Sequence, residues 1–553
     1  MYAALKAREA GVDVLLVSKG PIGRSGATPF GGTLLAYLDP KWINEPAKMD
    51  GASEEDYAST YFYLADEDHI AKTIQWVRDH LLSELEQMGL YFRRQPDGRV
   101  LFCPTRPKHT WTPKMGMSGR VMADLLRRKV LESRIRVMEE NMVTSILTTG
   151  RRCVGATLFD IMNGEFNAVR AKATIIATGH ANFLSRRSTG TREVCGDGLA
   201  IPYSAGAELY NVEMVLWHAS DMAWPRCWMR LHIYPNPMPL TAETSKIVNK
   251  NGEVMYEQKE NLEITSPYYL QLKRLYENVR RGKASFDGGY FSDLRHIDPH
   301  ILNEYSYQTQ FPKKVGINPT KDMIENAPSY HFLIGGVWVN FATMASSIPR
   351  LFAAGGATGH DGVTECMYDA QIATKSALAK IDELPTPEIE QLQIETVEKR
   401  ITKLLENAGT EGGVSPISLK RQIREIMWEK MGYVKNEQGM NSALQEFAEI
   451  RHSEVPRMTL ASKTKRFNYE IVDAFDVYNM LTACELQVRA SLYRKESRGP
   501  FYREDYPYID NKNWLKYIIL GRKENGEEYI RTEQVSLKNK KLPDREEYLS
   551  STY

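Results

Sequence analysis

The chain has 553 residues, more than one hydrophobic core can serve, so two to four domains are expected. Its 42% hydrophobic, 10% aromatic and 25% charged residues exclude a disordered or fibrous chain. With 71 basic against 70 acidic residues, the net charge of +1 gives no global field for nucleic acid or an anionic membrane.

No apolar run reaches the roughly eighteen residues that cross a bilayer, and the start has no signal-peptide pattern. A cytoplasmic protein without direct membrane insertion is expected, peripheral to a membrane complex at most. The six cysteines, Cys103, Cys153, Cys195, Cys227, Cys366 and Cys484, lie far apart with no C-x-x-C pair. They read as buried free thiols in a reducing compartment, and no iron–sulfur cluster is expected in this chain.

In chain order, Met1 to Ala10 reads as the end of a helix and Val12 to Val17 as the strand after it, followed by Ser18-Lys19 and a loop rich in Gly and Ser. This is the second half of a dinucleotide-binding βαβ unit. In such a unit a first strand and a G-x-G-x-x-G turn place backbone N–H groups under the pyrophosphate, and a polar residue ending the second strand meets the ribose. The strand-ending residue is present and the glycine turn is not, so the chain is expected to lack about one strand and one turn.

Ile135 to Glu139 and Val143 to Leu147 alternate like strands, Gly150 to Ala156 turns into another, and Val169 to Ala177 reads as a strand ending in Thr178-Gly179. A strand running into Ala-Thr-Gly lets backbone approach a cofactor, although any tight turn after a buried strand looks the same. Pro385 and Pro387 mark a linker. Beyond it Ile389, Leu392, Val397, Ile401, Leu404 and Leu405 form one helical stripe, and Leu419, Ile423, Ile426 and Met427 repeat it as packing helices. From Trp514 onward short strands and a polar tail are expected.

Several segments then follow one another in a telling order: Val17-Ser18-Lys19, Arg24-Ser25-Gly26-Ala27-Thr28, Gly31-Gly32, Ala177-Thr178-Gly179, Gly196-Asp197-Gly198, His331 to Gly336 and Leu351 to Gly356. Asn249 to Glu253, Ser292 to His296, Glu496 to Gly499, Arg503 to Pro507 and Asn513 to Leu515 extend the series. Together they resemble the fumarate reductase and succinate dehydrogenase flavoprotein family along nearly the whole chain.

That resemblance implies an α/β fold: an FAD-binding Rossmann-like domain over 1–215 and 330–385, an inserted α+β capping domain over 216–329, a helical domain over 388–500 and a C-terminal extension over 501–553. It implies FAD held by Ser18, Lys19, Ser25, Gly26, Thr28, Gly32, Thr178, Gly179, Asp197, Gly355 and Gly356. In membrane-bound members a histidine beside the serine tethers the flavin covalently; Gly26 stands there here, so non-covalent FAD is expected. Family members also carry a glutamate after Ala-Ala-Gly, where this chain has Gly356.

Fumarate reduction needs a hydride from the flavin, cations on two carboxylates and an arginine that delivers the proton. By resemblance, His331 matches the family's H-Y-x-M-G-G motif and His218 partly matches H-P-T, so both are expected at the catalytic site. The cap stretch Ser266 to Leu270 has no arginine, and Ala357 to Glu365 has neither the arginine nor the double glycine of the family. Dicarboxylate chemistry is therefore disfavoured.

The Arg24-Ser25-Gly26-Ala27 loop also resembles adenylylsulfate reductase α subunits, which implies a different small-molecule substrate and electrons exchanged with an iron–sulfur, ferredoxin-like subunit. Trp217, Trp224 and Trp228 with Arg226 and Arg230 read either as a pocket lining or as cap packing. His360 is open between the two roles, and His232 and His296 read as structural. Three readings follow: an FAD oxidoreductase of a non-dicarboxylate substrate, which is adopted; a fumarate reductase, succinate dehydrogenase or L-aspartate oxidase with relocated arginines; and a flavin-free subunit of an electron-transfer complex.

Overall fold

The computed structural model describes residues 1–30, 35–36, 62–92, 94, 96–98, 102–106, 110–113, 118–225, 246–257, 272–273, 275–285, 288–299, 312–360, 362–379, 381–535, 537–538 and 541–548. Helix α1 (Tyr2–Glu9) leads into β1 (Leu15–Val17). Two later helices, α2 (Glu67–Trp76) and α3 (Ser118–Glu132), precede β2 (Arg136–Met138), which runs parallel to β1 with Leu15 opposite Arg136. Next come β3 (Asn141–Thr149), β4 (Arg152–Asp160) and β5 (Glu165–Arg170), an antiparallel meander.

The stretch expected as one strand over 169–177 is two. Val169 pairs with Ala156 in the meander, and the chain then bends so that β6 (Thr174–Ile176) lies parallel to Leu351–Ala353. Apolar and β-branched residues on both sides of the bend make the sequence look continuous. The partners differ: the Ala171 N–H donates to the Val154 carbonyl, whereas the Thr174 N–H donates to the Arg350 carbonyl.

After α4 (Asp197–Ser204) and β7 (Leu209–Tyr210) comes β8 (Val215–Met222), the edge of a five-stranded sheet. Its other strands are β9 (Lys246–Val248), β10 (Val254–Glu257), β11 (Tyr290–Asp293) and β12 (Ile324–Leu333), in the order β8-β12-β11-β9-β10 and antiparallel throughout. Of the ten residues of β12 only His331 is not fully buried, as a central strand covered on both faces requires. The strand β13 (Leu351–Ala353) then leads through a turn to α5 (Val363–Leu378).

Helices α6 (Gln391–Glu406), α7 (Pro416–Lys430), α8 (Glu437–Glu449) and α9 (Tyr469–Tyr493) follow. Ser415 caps α7 by accepting from the Ser418 N–H, with Pro416 in the first turn; Asn436 and Asn468 cap the next two. Val397, Ile401, Leu404, Leu405, Leu419, Ile423, Ile426 and Met427 are buried as the stripe predicts, each contributing about 1.5–3 kcal/mol of burial. Leu392 departs from it at 70% exposure, because it lies in the first turn of α6, ahead of the packed part. The 25-residue α9 is buried along most of its length and runs through the interior, with Asp476 and Gln487 among its buried residues.

The strands expected after Trp514 are β14 (Lys516–Arg522) and β15 (Glu528–Gln534). They complete a sheet with β7 and Gly336–Val337, so the last part of the chain is bound to segments some 200 to 300 residues earlier. Cys153, Cys195 and Cys484 are buried free thiols, and Cys366 is half-buried. Among the described residues no helix is long and apolar enough to cross a membrane.

Candidate functional site

The parallel neighbours β6 and β13 end side by side, each in a glycine turn, and ligands of open α/β sheets lie beyond the carboxyl ends of such strands. Ile176 is buried, yet the next two residues, Ala177 and Thr178, are exposed, so the sheet opens there on a crevice. The turns touch backbone to backbone: a Cβ on Gly356 would stand 2.8 Å from the His180 nitrogen and 3.0 Å from the Gly179 carbonyl carbon. Thr178, Gly179, Gly355 and Gly356 thus present main chain with little side chain between, a surface that fits a dinucleotide cofactor.

Ser18 ends β1, its N–H donating to the Met138 carbonyl and its carbonyl accepting from the Asn141 N–H, both at 2.9 Å. In the following loop Ser25 Oγ donates to the Pro21 carbonyl at 2.8 Å, and Thr28, itself exposed, opens a short turn (Thr28–Phe30) whose Pro29 is buried. Gly26 has φ +76° with open space where a Cβ would project. Gly32 lies outside the described residues.

Lys19 is engaged across the molecule. Its Nζ donates to Asp197 at 2.8 Å, to Asp476 of α9 at 2.6 Å and to the Glu193 carbonyl at 3.3 Å. Lys420 of α7 completes the chain, donating to Asp476 and Asp473 at 2.7 Å each. Burial alone would raise the Asp476 carboxyl, but Lys19 and Lys420 hold it below the usual range; burial wins at Asp197, which is raised.

The structure brings the two expected catalytic histidines together. His218 on β8 and His331 on β12 come from paired strands, Trp217 opposite Tyr330 and His218 opposite Ser329. Their rings meet edge to face, centroids 4.6 Å apart at 84°. His331 Nδ1 shares a 2.6 Å hydrogen bond with Thr189 Oγ1, and its carbonyl accepts from Asn182 Nδ2 at 2.6 Å. Just beyond, Gly335 meets the Gly355 turn, since a Cβ on Gly359 would lie 2.2 Å from the Gly335 nitrogen.

Against the same turn stands a cluster that sequence reasoning did not assemble. Asp369 of α5 takes His69 Nε2 on one oxygen at 2.8 Å and His360 Nδ1 on the other at 2.7 Å. The Gly355 N–H donates to Asp369 at 3.0 Å, and His69 Nδ1 lies 3.0 Å from the Phe341 carbonyl. Asp66 places His69 by capping α2, accepting the His69 N–H at 2.7 Å. Burial would raise the Asp369 carboxyl, but the imidazoles of His360 and His69 hold it well below its usual range. Nearby, burial pushes the His180 imidazole down to about 4, with His360 adding to the effect, so His180 is neutral at physiological pH.

His180 follows the Ala-Thr-Gly turn directly and was open to notice. His69 and Asp369 lie 300 residues apart, and Thr189 carries no motif, so nothing local marks them. Trp217 proves to be core: it is fully buried against Tyr330 and Trp428 and lines no open face. Trp224 is 53% exposed, and His296 is exposed. Arg226, Trp228, Arg230, His232 and Ser266 to Leu270 lie outside the described residues.

The family model described as FAD binding domain matches residues 1–365, and the one described as Fumarate reductase flavoprotein C-term matches residues 420–548. A fumarate reductase (CoM/CoB) subunit of Methanothermobacter marburgensis is 26% identical over 94% of this chain and 95% of its own length. Among solved structures, Sdh1 of Mycobacterium smegmatis in complex with UQ1 superposes with a TM-score of 0.83 at 22% identity, covering 97% of this chain and 92% of that one. Adenylylsulfate reductase of Archaeoglobus fulgidus gives 0.77 at 20% identity, over 96% and 93%. The match over most of the chain and the glycine-lined crevice agree: the chain belongs to the fumarate reductase and succinate dehydrogenase flavoprotein family and is an FAD-dependent oxidoreductase.

Proposed function

We propose that this flavoprotein acts on a small molecule other than a short dicarboxylate, holds its FAD non-covalently, and exchanges electrons with an iron–sulfur protein. One observation carries the substrate reading: the stretch Ala357 to Glu365 after the Gly356 turn holds no arginine, and its one histidine, His360, has its Nδ1 committed to Asp369. When bound, FAD supplies the hydride chemistry that side chains lack. His331, oriented at Nδ1 by Thr189 and flanked by His218, then binds the substrate or transfers a proton at its opposite ring nitrogen.

Non-covalent attachment is supported by Gly26, which has no side chain to bond the flavin and open space beside it. The cofactor positions Ser18, Lys19, Ser25, Thr28, Gly32, Thr178, Gly179, Asp197, Gly355 and Gly356 belong to the same proposal. So does the division into a cofactor domain over 1–215 and 330–385, a cap over 216–329 and a helical part over 388–500. Grouping of β8 to β12 in one antiparallel sheet supports the cap. The cysteine spacing provides no cluster motif, so electrons need an outside carrier.

A second reading, fumarate reduction with a relocated cation, is favoured by one feature. Arg187 is buried at 5% exposure beside the histidine strand, its carbonyl accepting the Tyr330 N–H at 3.1 Å. The test uses the purified chain: flavin released by acid precipitation establishes non-covalent FAD. Reoxidation of the dithionite-reduced protein is then followed with fumarate and with adenylylsulfate as probes. Rapid reoxidation by fumarate alone overturns the proposal in favour of the second reading.

A further inference from the structure

We propose that His69, His360 and Asp369 form a binding site for one divalent transition-metal ion of the zinc and iron class, at the base of the Gly355 turn. One ring nitrogen from each histidine and a carboxylate oxygen of Asp369 all lie within 4.8 Å of one another, and the three side chains are buried. They come from three separate elements: the capped first turn of α2, the middle of α5 and the turn after β13.

The hydrogen-bond inventory requires a cation here. His69 Nδ1 faces the Phe341 carbonyl, which only accepts, so Nδ1 carries the hydrogen. Nε2 of the same ring then faces a carboxylate oxygen, which also only accepts. A neutral imidazole has one N–H, so two acceptors confront each other unless a proton or a metal ion stands between them. A metal ion satisfies both and also explains the far side of the ring, because ligating histidines characteristically donate their other N–H to a backbone carbonyl or carboxylate. Asp369 is supported in the same way, its second oxygen accepting from the Gly355 N–H at 3.0 Å.

Two imidazoles and one carboxylate suit Zn²⁺ or Fe²⁺ and leave coordination positions for water; Ca²⁺ and Mg²⁺ prefer all-oxygen sets. The nearly parallel His69 and His360 rings, with centroids 5.0 Å apart, leave their ligating nitrogens convergent on the carboxylate. The ion ties α2 and α5 to the cofactor-side turn. This role is independent of the substrate.

The test takes the full chain, with its flavin, stripped by chelator and dialysed. Titration with Zn²⁺ should show one ion per chain, and X-ray absorption at the zinc edge should show only nitrogen and oxygen neighbours at roughly 2.0–2.1 Å, without sulfur. Removing an imidazole in His69→Gln or His360→Gln should weaken Zn²⁺ binding by roughly 100-fold or more, since even outer-shell changes cost 10–100-fold. Wild-type protein that takes up no Zn²⁺, Co²⁺ or Fe²⁺ overturns the proposal and leaves a protonated His69. Zinc bound through sulfur, or bound equally by both variants with unchanged far-ultraviolet dichroism, overturns it as well. If the variants do not fold, the stoichiometry and absorption edge of the wild-type chain still decide.

Discussion

Near the C-terminal end of α9, Arg494, Glu496 and Arg498 are fully buried: Arg498 grips Glu496 with two nitrogens at 2.9 Å, and Arg494 reaches Glu496 and Glu213 at 2.8 Å each. At the Gly355 turn the buried groups are two imidazoles around one carboxylate. The first cluster balances two guanidiniums against two carboxylates, and its arginine charges persist at every working pH. The second rests on imidazoles, whose charge comes from a proton or a metal ion and is not permanent. Permanent charge, paired and buried, fixes architecture, whereas exchangeable charge collects where backbone turns expose a crevice.

Four substitutions sharpen or break that contrast. The largest effect belongs to the permanent cluster: Glu496→Ala strands the buried Arg498 guanidinium, leaves Arg494 with Glu213 alone, and should cost about 3–5 kcal/mol of unfolding free energy in urea titration. A loss below 1 kcal/mol, by the same scale, would show that water reaches the site.

Next is Lys435, a buried cation with no ion-pair partner among the described residues, donating to the Tyr433 carbonyl at 3.1 Å. Burial, with Arg503 adding, pushes its ammonium down to about 7. The folded chain therefore binds fewer protons than the unfolded one between pH 7 and the ordinary lysine value, so its penalty is complete below 7 and fades as pH rises. Lys435→Met should stabilise by on the order of 1–3 kcal/mol at pH 6, and the gain should shrink toward pH 10 in parallel denaturation series. A pH-independent gain would mean the ammonium stays charged.

At the histidine pair, Thr189→Val removes the hydroxyl on His331 Nδ1. It should cost about 1 kcal/mol of stability and lower kcat roughly tenfold with little change in KM, and Thr189→Ser should restore the rate. Equal effects of valine and serine would make the contact merely structural. Smallest is Arg151→Ala: its pair with Glu524 is 3.2 Å long but both side chains are about three-quarters exposed, so the change should stay within about 0.5 kcal/mol.

The elements legible from sequence were those whose cause is local. The apolar run before Ser18, the glycine turn after Ile176 and the stripe from Val397 to Leu405 each carry their own period or breaker. His218 and His331 were legible through motif resemblance, and their pairing follows from two strands that sequence spacing does not connect. Hidden from sequence were features made by distant partners. The break at Ala171 exists because two different strands claim the flanking residues, and Trp217, which the sequence leaves open between pocket lining and packing, is enclosed by Tyr330 and Trp428 from far along the chain. Asp369 looks like any helical acid until His69 arrives.

The ion pair of Lys19 with Asp476 spans 457 residues, and the Tyr2 hydroxyl reaches Gln371 across 369. During synthesis the first strand is thus made long before the helix that anchors it. At about 5–20 residues per second, the ribosome needs on the order of a minute to deliver that helix. Throughout that interval β1 and the loop after it lack their final electrostatic partner, and the Lys19 contact is locked only when α9 arrives. For that interval a nascent-chain chaperone has time to act on it.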